Sequence, residues 1–233
     1  MINILFEDNH LLVVEKPVNI PVQEDSSKDK DLLTILKEYL KVKYNKPNNV
    51  YLGLVHRLDR PVGGVMVFAK TSKAASRLSK QIQEKTMKKI YNAVIVNSSL
   101  KDNGTLIDYL IKNTKTNTVS VVSENVQNSK KAILHYNILA NVNNLSLVEI
   151  NLETGRPHQI RVQFASRNSP IWGDQRYNKN AIVKQQIALY ATSLSFTHPI
   201  SKEELTFKNK LPNTYPWSLF MEENYGKKKI KKN

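Results

Sequence analysis

The apolar residues of this chain come in short runs, each closed by Pro, Gly, Asn or a charged cluster, and few segments show helical spacing. That pattern dictates a strand-rich fold, because apolar residues recur every second position in a half-buried strand and at three and four in a helix. Ile2–Phe6 and Leu11–Glu15 read as a hairpin around Glu7-Asp8-Asn9-His10, stopped by Pro17, which cannot pair within a central strand. Further strands are predicted at Val50–Val55, Val65–Ala69, Tyr91–Val96, Val119–Val122, Ala132–Leu139, Leu145–Leu152, Ala188–Phe196 and Leu205–Lys208. Leu145–Leu152 is apolar at both parities apart from Glu149, which predicts a strand covered on both faces. Three segments have helical spacing. They are the stretch from Leu32 to Leu40, with Asp31 at its start; Ser72–Glu84, with Ala74, Ala75, Leu78 and Ile82 on one side; and Pro157–Ser166, with proline in the tolerated first position. Short turns between neighbouring strands favour antiparallel pairing. The fold class is therefore α+β, a large mixed, mainly antiparallel β-sheet with helices packed on it. The stretch Leu100–Asn144, broken by Asn-rich turns, is the least legible.

A length of 233 residues suits one domain or two small ones, and no apolar run is long enough for a membrane span. The start, Met1 to Asp8, lacks the features of a signal or transit peptide. The chain has no cysteine, which excludes disulfide scaffolds, thiolate zinc sites and cysteine nucleophiles and fits a reducing cytoplasm. The formal net charge is +15, a surplus that favours a polyanionic partner, with nucleic acid first. Abundant Asn, Lys and Ile offer a duller source for the lysines, namely a coding sequence rich in A and T. The arginines are more informative because they cluster in two places. Residues 221–233, ending Lys227-Lys228-Lys229-Ile230-Lys231-Lys232-Asn233, read as a disordered basic tail behind a single domain of residues 1–220.

Two motif matches fail. Gly64 to Thr71 differs from a phosphate-binding loop by Ala69, and its interior is an apolar strand-like run. His56-Arg57-Leu58-Asp59 resembles a kinase catalytic loop, without the other kinase motifs. What remains between Val55 and Val65 is a loop with Arg57, Asp59 and Arg60 in four residues, turned by Pro61-Val62-Gly63-Gly64. Neighbouring guanidinium groups favour an ionised carboxylate, so this loop is either a reactive site or a structural ion pair. The second cluster, Glu153-Thr154-Gly155-Arg156-Pro157-His158-Gln159-Ile160-Arg161, leads from a strand into a helix start. It is either an anion site on backbone amides and Arg156, or a helix with a surface arginine at 161. His158 and Arg161 would share one helix face, and His158 has no companions at metal-ligand spacing. Tyr91 alone reads as core or edge packing.

Taken together and in order, these pieces resemble the RluA family of RNA pseudouridine synthases. The resemblance rests on Phe6-Glu7-Asp8, Val13 to Pro17, Val55-His56-Arg57-Leu58-Asp59-Arg60 with Gly64, and Ala69-Lys70-Thr71. It continues through Lys89-Ile90-Tyr91-Asn92-Ala93, Leu152 to Arg161, and Pro170-Ile171-Trp172-Gly173-Asp174-Gln175-Arg176-Tyr177, spanning roughly residues 1–220. It implies a pseudouridine synthase catalytic fold with Asp59 as the catalytic aspartate, Tyr91 as the aromatic packing on the target base, and Arg161 as the cation paired with that aspartate. It implies that Arg57 handles a flipped nucleotide, and it draws Arg60, Arg156 and His158 toward RNA binding. It also implies no metal and no organic cofactor, ribosomal or transfer RNA as partner, no obligatory protein partner and a cytoplasmic setting. The chain departs from the family at Pro61-Val62-Gly63-Gly64, where members commonly carry hydroxyl side chains that brace the turn. It also begins at the catalytic core with no separate small RNA-binding domain ahead, so the basic surplus and tail are expected to supply RNA affinity.

The implied reaction breaks the N1–C1′ bond of uridine and joins C5 to C1′. Asp59 would either attack C1′ or remove a sugar proton, and an arginine such as Arg57 would fill the gap left by the flipped base. Two other classes compete: a non-catalytic RNA-binding or folding factor on the same scaffold, and a nuclease using His56 with Asp59.

Overall fold

The computed structural model describes residues 2–97 and 99–221, so the expected basic tail at Lys227–Asn233 lies outside the described residues. The described chain forms eleven strands, three α-helices and a short 3-10 helix at Trp217–Phe220. The predicted fold class stands: the strands are mixed with helices along the chain and pair mainly antiparallel. None of the helices is long and apolar enough to cross a membrane. The contacts divide the chain into two compact units. Unit 1 is residues 1–89 with 191–209, and unit 2 is residues 90–190 with the chain from 210 onward.

Unit 1 holds β1 (Asn3–Glu7), β2 (Leu11–Lys16), α1 (Leu32–Lys43), β3 (Gly53–Leu54), β4 (Gly63–Ala69) and α2 (Ser72–Gln83). It also holds most of β10 (Leu189–Thr197) and all of β11 (Glu204–Lys208). Its strand order is β1-β2-β4-β10, with β3 also on β4 and β11 on β10. β2 and β4 pair from Leu11↔Ala69 to Lys16↔Gly64, and every residue of β4 is buried, which explains the uninterrupted apolar run there. One face carries Leu11, Val13, Val65, Val67 and Ala69. This face packs with Ala74 and Leu78 of α2 and with Met87, Leu194 and Phe196. Both helices start where the sequence offers a cap: the Asp31 carboxylate accepts from the Thr34 amide, and the Thr71 hydroxyl from the Ala74 amide.

Unit 2 holds β5 (Lys88–Val96) from Ile90 on, then β6 (Asn103–Asn113), β7 (Thr118–Val122), β8 (Lys130–Val142), β9 (Leu145–Leu152) and α3 (Gln159–Ala165). Its order is β5-β9-β8-β6-β7, antiparallel throughout. Leu110, Val119 and Ala132 of this sheet pack with Val162 of α3.

Four sequence expectations need correction. β3 is two residues long where Val50–Val55 was expected, because the chain leaves the sheet at Val55. β9 is covered on both faces only as far as Val148: beyond the expected exception at Glu149, Asn151 is exposed too. α3 begins at Gln159, two residues later than expected, because His158 adopts a left-handed backbone (φ 49°) and Pro157 lies in the turn before it. Finally, the sequence left β6 unread. Asp108 stands on the inward parity between Leu106 and Leu110, where it breaks the apolar alternation but is paired with Arg167 at 2.9 Å and with Gln163 at 2.7 Å.

Candidate active site

Asp59 sits half-buried in unit 1 on the loop that leaves β3 and returns as β4. Where β3 peels away, the Val67 amide of β4 needs a new acceptor, and the Nε2 atom of His56 provides it at 3.1 Å. With Nε2 accepting, the ring proton of neutral His56 belongs on Nδ1. Burial, reinforced by the neighbouring Lys89 cation, pushes the His56 pKa down to about 3. A ring so engaged, and so far from titrating near neutrality, is a poor acid or base, which removes the support for the His56–Asp59 nuclease reading. Leu58 turns into the core, and the Asp59 carbonyl accepts from the Val62 amide at 2.9 Å, closing the turn.

Lys16 lies beneath that turn with none of its surface exposed. Its ammonium donates to the carbonyls of Pro17 (2.9 Å), Arg60 (3.0 Å) and Val62 (2.8 Å). Burial pushes its pKa down to about 7, against the pull of the Asp59 charge, which favours the ammonium. Gly64 closes the loop. Its φ of +123° suits glycine alone, and a Cβ there would stand 2.2 Å from the Ala191 carbonyl oxygen. The turn is thus held by Lys16 from below and by glycine at the exit.

The two flanking arginines differ. Arg57 is exposed and donates only a long bond, 3.3 Å, to the Gln23 side chain. Arg60 is committed within unit 1: its Nε donates to the Asn19 carbonyl at 3.2 Å, and its guanidinium pairs with Asp29 and, at 3.8 Å, with Asp25.

Unit 2 carries the other residues. Tyr91 is on β5, 9% exposed and opposite Ile150 of β9. The loop from β9 to α3 is fixed by Thr154 and Gln159. The Thr154 hydroxyl accepts from the Ile133 amide at 2.8 Å, and the Gln159 amide group donates to the Ile133 carbonyl at 3.1 Å. Gln159 Oε1 accepts from the Arg156 amide at 3.0 Å, so that amide is spent inside the turn and the expected anion cradle loses it. The Arg156 side chain is exposed, with its Nε on the Lys131 carbonyl at 3.0 Å.

Arg161 is no surface arginine: it is 6% exposed, on a helix buried from Gln159 to Phe164. Asp174 meets its guanidinium side-on, with Nε to Oδ2 at 2.9 Å and Nη2 to Oδ1 at 2.7 Å. The Tyr177 ring lies under it, 5.2 Å from the guanidinium carbon to the ring centre. The Tyr177 hydroxyl accepts from the Val119 amide at 2.8 Å and meets His158 Nδ1 at 2.7 Å. The sequence reading assigned no role to Lys16, Asp174 or Tyr177. The one available signal was Arg161 itself, set among Ile160, Val162 and Phe164, since an arginine on an all-buried helix requires a buried acid.

Similarity to known proteins agrees with this assembly. The family model described as RNA pseudouridylate synthase matches residues 10–166. An uncharacterized RNA pseudouridine synthase of Bacillus subtilis, YhcT, is 33% identical over 91% of this chain and 69% of its own length. The ribosomal large subunit pseudouridine synthase D of Nitrosomonas europaea is also 33% identical over 91% of this chain, which spans 62% of that relative. Among solved structures, human RNA pseudouridylate synthase domain containing 4 superposes with a TM-score of 0.77 at 25% identity, covering 93% of this chain and 91% of that one. The chain belongs to the RNA pseudouridylate synthase family.

Proposed function

We propose that this protein converts specific uridines of ribosomal RNA to pseudouridine, with Asp59 as the catalytic carboxylate, Tyr91 packing on the target base and Arg161 as a cation serving the same reaction. The observation that carries the reading is the seat of Asp59. A half-buried aspartate stands on a turn braced by buried groups, and the imidazole nearest it in the sequence, His56, is locked as a neutral acceptor. That arrangement suits chemistry run by one carboxylate rather than an acid–base pair. The uracil leaves C1′ as a delocalised anion, turns, and bonds through C5; N1 gains a proton and C5 gives up its hydrogen. Ordinary glycoside hydrolysis needs a second carboxyl to protonate a poorer leaving group. Arg57, exposed and lightly tethered, is the side chain suited to fill the stack vacated by the flipped nucleotide. Ribosomal RNA is favoured over transfer RNA because several relatives are named for the large ribosomal subunit.

The test is Asp59→Asn, which keeps the shape and removes the charge. Pseudouridine in total RNA, read by carbodiimide-dependent reverse-transcription stops, is expected to vanish while RNA binding persists. Normal pseudouridine formation by this variant refutes the assignment. Stops confined to transfer RNA for the wild-type chain overturn the choice of substrate alone.

A further inference from the structure

Arg161 is a charge sunk inside unit 2, and the side chain of Asp174 fixes the plane of its guanidinium. Asp174 is 1% exposed and takes two of the five guanidinium hydrogens in a side-on fork. The Tyr177 ring supports one face of the same plane, and its hydroxyl is tied to β7 through the Val119 amide. Asp174 is itself fixed, because its Oδ1 also accepts from the amides of Arg176 (3.1 Å) and Tyr177 (3.3 Å). A loop of four residues therefore both neutralises the arginine and sets its plane. A single-point cation such as lysine could keep the charge but not the orientation.

We infer that Asp174 is a positioning residue of the synthase, aiming the Arg161 guanidinium through the two-point fork, with Tyr177 as the plate beneath it. This rests on the reading of Arg161 as a cation serving the reaction. It adds that the fork, by holding two of the guanidinium hydrogens, sets the direction in which the rest of the group points.

The experiment measures tritium release from total RNA carrying [5-³H]uridine in single turnover, together with RNA affinity and thermal melting, for the full-length chain. Asp174→Asn keeps an oxygen for the Arg176 and Tyr177 amides but turns a donor toward Arg161. It is expected to slow release roughly 100-fold while RNA affinity stays within about threefold, since misplacement of a positioned group costs rate rather than binding. Arg161→Lys, which keeps the charge and loses the fork, is expected to be similarly slow. Adding Asp174→Asn to Arg161→Met should slow that variant no further, because the two act as one unit. If Arg161→Met is inactive while Asp174→Asn and Arg161→Lys react at the wild-type rate, positioning by the fork is overturned and the reading of Arg161 survives. If Arg161→Met reacts at the wild-type rate, that reading falls instead. Should Asp174→Asn lose its cooperative melt, Arg161→Lys decides.

Discussion

Each unit fixes one charged group, and the two do so from opposite ends of the side chain. Under Asp59 the anchors grip the main chain: Lys16 gathers three carbonyls around the turn, and the His56 ring takes over a strand amide just before it. In unit 2 the main chain of α3 is ordinary helix, and the anchors grip the head group of Arg161 through Asp174 and Tyr177. Reach explains the difference. An aspartate has one methylene, so its carboxyl goes wherever the backbone is placed. An arginine has several rotatable bonds and a costly side-chain entropy, so its head must be fixed separately. Damage to the first kind of anchor should therefore disturb the backbone of the turn, and damage to the second should misplace the guanidinium while the α3 backbone holds.

The largest expected break is Lys16→Met, which keeps the length and leaves the carbonyls of Pro17, Arg60 and Val62 without a donor. It should cost roughly 2–4 kcal/mol in denaturant unfolding and slow pseudouridine formation by one to two orders of magnitude, roughly. Its pH dependence has a defined sign. The folded pKa near 7 lies below the ordinary lysine value of 10.5, so the folded chain binds fewer protons than the unfolded chain between those limits. Wild-type stability should thus rise relative to Lys16→Met from pH 7 to 10.5, and parallel curves across that window would show that Lys16 does not titrate there. Next comes Gly64→Ala, where positive φ and the Ala191 carbonyl both oppose a Cβ. A loss of about 3 kcal/mol or more is expected by thermal melting, with the loop disturbed at its exit.

The smallest effect sharpens the comparison as a control. Glu7 is a buried acid of unit 1 that serves neither anchor. Burial would raise its pKa, but hydrogen bonds from Lys43, Tyr44, Lys70 and Tyr39 outweigh that and bring it down to about 2. A depressed carboxylate stabilises the fold above its unfolded pKa, and this contribution is lost as pH falls from about 4.5 to 2. Glu7→Gln should flatten the acid limb of melting temperature against pH and leave turnover at neutral pH unchanged. A turnover defect in that variant would contradict the assignment of Lys16 and His56 as the anchors that matter.

The parts of this design that follow local patterns were legible in the sequence. Short apolar runs bounded by turn residues marked β1, β2, β4 and β9, and the caps Asp31 and Thr71 stand where α1 and α2 begin. Wherever a polar group is buried and paired at long range, the sequence misled. Asp108 hid β6 because its partners lie 55 and 59 residues away. The helical spacing of Pro157–Ser166 left Arg161 open between an anion site and a surface arginine, because the Asp174 that takes it out of water stands 13 residues on. Lys16 looked like the polar end of a strand, and nothing beside it in sequence announces carbonyls 44 and 46 residues downstream. The division into two units was illegible for another reason. The chain passes between them three times, and two of the passages, at 89/90 and 190/191, fall inside β5 and β10, where no linker composition can mark a boundary.

That passage has a consequence for how the protein is born. Unit 1 is opened after Lys89 and closed only by residues 191–209, whose Leu194 and Phe196 sit in its core and whose His198 holds Asp8 across 190 residues. A nascent chain carries Asp59 long before residues 191–209 emerge, yet cannot finish packing β4 and α2 until they do. On the ribosome, the unit that holds Asp59 is thus begun before unit 2 and closed only after it.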